Sequence, residues 1–156
     1  MQVRNARSDD CAAITAIAMR AKGHWGYPAS WLEEWRNDLT FTPELLASTV
    51  TLVAEQEGQV LGVGCLDQSQ SPPELAHLWV DPTSIGRGVG STLFRALCIH
   101  ARTAGHRRLV VDSDPNALDF YKKMGCLVVG MTPAPVLGAS RELPHLEFIL
   151  DPQPTD

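Results

Sequence analysis

The chain lacks a surplus of positive charge: 13 lysines and arginines face 18 aspartates and glutamates, a formal charge of −5. Nucleic-acid binders usually carry a basic excess, so that partner class is argued against, and the acidic field mildly favours a cationic one. No C-x-x-C pair occurs. Cys11, Cys65, Cys98 and Cys126 are widely separated and sit among apolar neighbours, which reads as small core residues kept reduced. The histidines do not fall at ligand spacing with them, so no metal is expected. Residues 1–10 lack the apolar run of a signal peptide, and no stretch approaches the ~20 apolar residues of a membrane span. A cytoplasmic location, away from membranes, is therefore expected. Internal repeats and interior linkers are also missing. With 156 residues the chain suits one domain with a proper core and not two. The domain is expected over 1–150, with a polar, proline-rich tail, 151–156, that frays.

What is present is an alternation of short strands and helices. Residues 2–6 read as a strand. Ser8 or Asp9 is placed to cap a helix to about residue 22, with Cys11, Ile14, Ile17, Ala18 and Ala21 on one face. Helices are expected over 30–37 and after Thr42-Pro43. Residues 51–57 and 60–66 form a hairpin about a tight turn, and 74–80 is the next strand. From residue 88 to about 104, Val89, Leu93, Leu97 and Ala101 recur every four positions, which is an amphipathic helix. A strand at 109–111, a short helix after Asp114-Pro115 and strands at 127–131 and 145–150 complete the pattern. Residues 132–144 are left as a long loop of the kind that often serves as a lid. Strands and helices so mixed, with hairpins at both ends, give an α+β class: a mixed sheet covered by helices.

One segment carries most of the functional information. The strand ending Leu78-Trp79-Val80-Asp81-Pro82 is followed by Ile85-Gly86-Arg87-Gly88-Val89-Gly90-Ser91, where alternating glycines open a helix. A helix N-terminus presents unpaired N–H groups and the positive end of the macrodipole, and glycines let a phosphate approach the backbone. Arg87 is placed to add a charge-assisted contact. A tight turn with packing glycines is the plain alternative. A dinucleotide turn fits poorly, because Ser91 stands at the last glycine position and the segment follows a hairpin. A P-loop is excluded, since no Gly-Lys-Ser/Thr follows.

At these residues the sequence resembles the GNAT superfamily of acetyl-CoA-dependent N-acetyltransferases. The family turn, Gln/Arg-x-x-Gly-x-Gly/Ala after a Val-x-Pro-like strand end, is matched from Ile85 to Gly90, with Ile85 as the departure. A second motif follows in order: a strand, Asp114-Pro115-Asn116-Ala117, Phe120-Tyr121 and Met124-Gly125, with Asp114 where the family often has Asn. The resemblance implies a mixed, mostly antiparallel twisted sheet, splayed between its fourth and fifth strands and flanked by helices on both faces. It implies pantetheine along the backbones of Leu78, Trp79 and Val80, and pyrophosphate on Gly86, Arg87, Gly88, Val89, Gly90 and Ser91. Asn116, Tyr121 and Lys122 or Lys123 would flank the far side of the cofactor. The implied activity is transfer of an acetyl group from acetyl-CoA to an amine by direct attack in a ternary complex. A non-catalytic acyl-CoA-binding module is the alternative.

Attack requires a neutral amine and a proton for the leaving thiolate. Tyr121 matches the family tyrosine beside the CoA sulfur and is the expected donor. Glu74, at the start of its strand, and His77 are the two candidate bases. Strict strand alternation places them on opposite faces, so one alone is expected to serve. The aromatic turn and helix with Trp25, Tyr27 and Trp31 resemble the region that shapes the acceptor site, by stacking or cation–π attraction. Trp35 reads instead as part of a buried stripe. Arg141 and Glu142, in the long loop, are candidates for an acceptor contact or a dimer contact, and a homodimer is left open.

Overall fold

The structure, a computed structural model, describes residues 1–150; the tail expected to fray lies outside the described residues. Seven strands form one sheet: β1 (Gln2–Asn5), β2 (Val50–Gln56), β3 (Gln59–Asp67), β4 (Glu74–Val80), β5 (Arg108–Asp112), β6 (Leu127–Pro133) and β7 (Glu142–Ile149). Their order is β1-β2-β3-β4-β5-β7-β6, and every neighbouring pair is antiparallel except β4–β5. The helices are α1 (Cys11–Gly23), α2 (Ala29–Trp35), α3 (Pro43–Ser48), α4 (Val89–Thr103) and α5 (Leu118–Met124). The mixed α+β sheet with helices on both faces is as expected.

Helix α4 packs one face of the sheet through the stripe that its periodicity announces: Val89, Leu93, Leu97 and Ala101 are all buried. Each large apolar side chain removed from water in this way contributes roughly 1.5–3 kcal/mol. The helix lies close because β3 offers glycines beneath it. A Cβ on Gly64 would stand 2.7 Å from Leu97, and one on Gly62 would stand 2.8 Å from Val89. The opposite face is covered differently. A second core, with Ile14, Ala18, Phe41, Val53, Val63 and Cys65, joins α1 and the segment before α3 to β2, β3 and β4 only. On that side β5, β7 and β6 carry no helix.

Local departures from the sequence reading have identifiable causes. Neither Ser8 nor Asp9 caps α1; residues 8–10 form a 3-10 turn, and the Asp10 carboxylate accepts from the Arg7 amide (2.7 Å) and from Arg4 (2.8 Å). Residues 132–144 are not a structureless loop. The β6–β7 hairpin continues through Ala134 and Arg141 to a two-residue turn at Leu137 and Gly138, both at positive φ, closed by paired bonds between Val136 and Ala139.

The register of β4 corrects a third expectation. Leu66 of β3 faces Leu75, yet Cys65 faces His77, so Ala76 is an extra residue forming a bulge. Alternation is reset there, and Leu75 and Leu78 share the α4 core although three apart. The same reset brings Glu74 and His77 to one face, where strict alternation had separated them.

Candidate active site

Strands β4 and β5 meet at one point. Glu74 lies opposite Val110, whose amide donates to the Pro73 carbonyl (3.0 Å). Beyond it the strands diverge, so among the described residues the backbones of Leu78, Trp79 and Val80 pair with β3 on one edge and with nothing on the other. An unpaired edge within a sheet accepts an extended ligand that completes the ladder.

Past the end of β4 the chain turns sharply. The Asp81 carboxylate accepts from the Thr83 amide (3.2 Å) and is held by Arg20 of α1 (2.7 Å). Gly88, at φ +78°, caps α4 in the left-handed region that other residues avoid. Among the described residues, no amide from Gly86 to Ser91 finds an acceptor. The Ser91 and Thr92 hydroxyls both donate to the Gly88 carbonyl (3.2 and 2.7 Å), which leaves those amides free. Free donors at the positive end of a four-turn helix suit an anion. Gly90 has a separate role: a Cβ there would lie 3.3 Å from the Phe120 ring, so its hydrogen lets α4 and α5 touch.

Both features open onto one cavity of about 600 Å³. Leu78, Trp79 and Val80 form one wall, Gly86 and residues 88–91 the end at the start of α4, and Asn116, Phe120 and Tyr121 the far wall. His24 and Trp25 close it from the end of α1. Its cationic side chains are Arg95 and Lys123; Arg87 hydrogen-bonds Gln56 (3.0 Å) and lies outside the lining. The structure thus brings Arg95 and Lys123 to the cavity and sets Arg87 against Gln56. Arg95 was findable from sequence, because it follows Ser91 by one helical turn on the same face.

Tyr121 is buried with edge-on contacts to Phe94 and Phe120, yet its hydroxyl has no partner among the described residues and stands at the cavity wall. Burial raises its phenol, which keeps the proton in place at neutral pH. His77 does not line the cavity. It packs against Phe41, and its Nδ1 accepts from the Trp79 indole (3.0 Å). Burial pushes it down to about 4, so it is neutral with that lone pair already engaged. The geometry therefore makes His77 a core residue and not a base. Glu74 also lies outside the cavity lining, at the point where β4 and β5 part. Burial raises its carboxyl, with Asp112 and Asp67 adding to the rise and His145 opposing it.

The aromatic region holds a cluster that sequence reasoning did not assemble. Lys22 Nζ lies 2.7 Å from Asp114, and the Tyr27 hydroxyl donates to the same carboxylate (3.0 Å). That hydroxyl accepts from Arg141 (3.1 Å) and from Asn116 (3.1 Å). The Trp35 ring, assigned above to a buried stripe, carries both cations on its face, Lys22 at 4.4 Å and Arg141 at 4.9 Å. Trp31 stacks on Tyr27 and does not line the cavity, whereas Trp25 does. Burial lowers the Lys22 ammonium, and Asp114 only partly restores it. Burial would raise the Asp114 carboxyl, but Lys22, the Asn116 amide and Tyr27 outweigh it and hold it low. Lys22 carried a signal: Ile14, Ala18 and Lys22 are four apart, so the ammonium ends an apolar stripe.

An anion-binding turn, an open strand edge and an apolar channel between them suit a long ligand with phosphates at one end and a hydrogen-bonding arm. That combination defines a coenzyme A thioester-dependent acyltransferase. Residues 11–126 match the model of the acetyltransferase (GNAT) family, and the chain belongs to that family. The L-amino acid N-acyltransferase MnaT of Escherichia coli (strain K12) is 29% identical over 150 residues, covering 85% of this chain and 83% of its own. A GCN5-related N-acetyltransferase from Rhodopseudomonas palustris superposes with a TM-score of 0.82 at 25% identity, over 95% of this chain and 94% of its own. The yncA structure from Salmonella typhimurium, solved with its cofactor acetyl-CoA, gives 0.70 at 23% identity over 100% and 97%.

Proposed function

We propose that this acyltransferase takes acetyl-CoA as donor and acetylates a primary amine, with small amines, including the α-amine of an amino acid, ahead of protein amines. The observation that carries the donor assignment is the row of free amides at Gly86 to Ser91 beside the unpaired edge of β4. The name of the Escherichia coli relative supports the small-amine preference. Acetyl-CoA, when bound, would supply the activated acetyl group as its thioester; the chain's residues orient it and manage protons. In this reading the amides at 86–91, with Arg95 and Lys123, hold the diphosphate, while Leu78, Trp79 and Val80 pair with the pantetheine arm. Asn116 borders its far side. Tyr121 keeps its hydroxyl proton ready for the departing sulfur.

Ammonium is the wrong form for attack. Near pKa 10.4, a lysine-like amine needs roughly 4.6 kcal/mol to be neutral at pH 7. Glu74, half-buried where the strands part, is the carboxylate that meets the incoming ammonium. Trp25 and the Tyr27–Trp31 pair bound the acceptor side, with Arg141 fixed by Tyr27. The homodimer left open above would use the free β6 edge, where Leu127, Val128, Val129 and Met131 are all exposed. A cytoplasmic location fits the four free cysteines, and no helix of the described residues is long and apolar enough to cross a membrane.

The test is a panel of amino acids, alkylamines and peptides with acetyl-CoA, read by free-thiol release. Turnover on small primary amines is expected, and Tyr121→Phe should lower kcat about 10²–10⁴-fold while coenzyme A still raises the melting temperature. Retained turnover in that variant would remove Tyr121 from proton donation.

A further inference from the structure

A carboxylate–imidazole pair stands beside the splay and has no part in the site described so far. His145 Nδ1 lies 2.7 Å from Asp112 Oδ1. An ionised carboxylate only accepts, so Nδ1 carries the proton and the lone pair of the ring is left on Nε2. The Thr132 hydroxyl donates to the same Asp112 oxygen (2.6 Å), which fixes the carboxylate. Nε2 has no partner among the described residues, and the His145 side chain is 34% exposed.

The register places this pair. Asp112 faces His145 across β5 and β7, while Val110, two residues earlier, faces Glu74 at the one ladder pair of β4 with β5. Glu74, Asp112 and His145 therefore share one face, the side where β5, β7 and β6 carry no helix. Glu74 lies near enough to Asp112 and His145 for both to bear on its carboxyl. The charged and titratable groups on this face are Asp67 from β3, Glu74 and His77 from β4, Asp112 and Arg108 from β5, Glu147 from β7 and Arg141 from the hairpin beyond it, with Arg108 paired to Glu147 (3.1 Å) and Arg141 to Asp114 (3.5 Å). Carboxylates outnumber guanidiniums there, and both guanidiniums are already paired, which draws a cationic amine.

We propose that His145, oriented by Asp112 and Thr132, is the proton acceptor for the substrate amine, and that Glu74 receives the ammonium beside it. The assignment rests on amine acetylation at the splay, as proposed above, and moves the base role from Glu74 to an imidazole. As a class, imidazoles are stronger bases than carboxylates by roughly a hundredfold and so sit closer to an ammonium. The balance is as follows. Nε2 takes one proton from the ammonium. The nitrogen lone pair then forms the C–N bond as the C–S bond breaks, and the departing sulfur takes the Tyr121 proton. The second proton lost by nitrogen restores Tyr121, and the proton on His145 leaves to solvent. Amide, free thiol and one proton result.

His145→Gln and Asp112→Asn in the full chain test this with two acceptors, an alkyl primary amine and methoxyamine, which is neutral at pH 7. His145→Gln should lose about 10²–10⁴-fold in kcat/KM on the alkylamine at pH 7. The loss should shrink as pH rises and be small for methoxyamine, with the coenzyme A thermal shift intact. Asp112→Asn, which keeps the shape, should show the same pattern more weakly. A wild-type rate in His145→Gln, or an equal loss on both acceptors at every pH, would overturn the assignment. A wild-type chain inert toward every primary amine would instead sink the underlying reading, and the dyad with it.

Discussion

Asp114→Asn isolates the charge on which the buried cluster depends. The amide keeps the shape and can still accept from the backbone of Asn116, a bond of 2.8 Å here, so the turn into α5 survives. What disappears is the negative charge beside Lys22 and Arg141, whose side chains are 10% and 11% exposed. Removing one partner of a buried ion pair costs roughly 3–5 kcal/mol. Lys22 has an exit, since it can shed its proton; from 10.4 to pH 7 that caps its share at about 4.6 kcal/mol. The faces of Trp35 and Tyr27 soften the loss further. A destabilisation of about 3 kcal/mol is expected, or roughly 6–12 °C in Tm for a chain of this size. The pH dependence has a definite sign. The folded-state Lys22 already titrates below its unfolded value, and without Asp114 it falls further. Between that lowered value and about 10.4 the unfolded chain binds the extra proton, so stability rises with pH at up to about 1.4 kcal/mol per unit. The deficit should be largest near neutrality and shrink toward pH 10, and adding Lys22→Met should recover most of it. Urea denaturation at several pH values measures all three. A variant within 1 kcal/mol of wild type with an unchanged pH profile would show that the carboxylate does not hold Lys22.

Gly88→Ala forces a side chain into φ +78°, so about 1–2 kcal/mol of strain and a clear loss of coenzyme A affinity are expected, read by calorimetry. His77 titrates at about 4 folded against about 6.5 unfolded, so stability should fall by up to roughly 3 kcal/mol as pH drops through that window. His77→Gln should flatten that acid limb.

The sequence was most legible where local rules suffice. The period of α4 predicted its buried stripe, and the glycines at 86, 88 and 90 marked the turn whose amides stand free at its start. Strand identity was also recoverable from apolar runs and turn residues. The bulge at Ala76 was not, because it is set by how β4 meets β3 and leaves no mark on composition. That single extra residue undid the facing argument for Glu74 and His77. The Leu137-Gly138 turn had its signal in Gly138, but polar and proline residues around it read as loop. Tyr27 and Arg141 lie 114 positions apart and Lys22 and Asp114 lie 92 apart, so only the tertiary fold could bring the four together. The helix dipole end pointed to Arg87 by proximity in sequence, whereas helical geometry gives Arg95.

Asp114 belongs to two places at once. Its carboxylate receives the Asn116 amide at the cavity wall, and it also anchors α1, the aromatic turn and the β6–β7 hairpin. On the proposed function, donor pocket and acceptor rim are fastened to one side chain and cannot be re-engineered independently. Swapping the aromatic turn or the hairpin to change which amine is chosen will disturb the grip on the thioester unless the Lys22 contact is rebuilt in the same step.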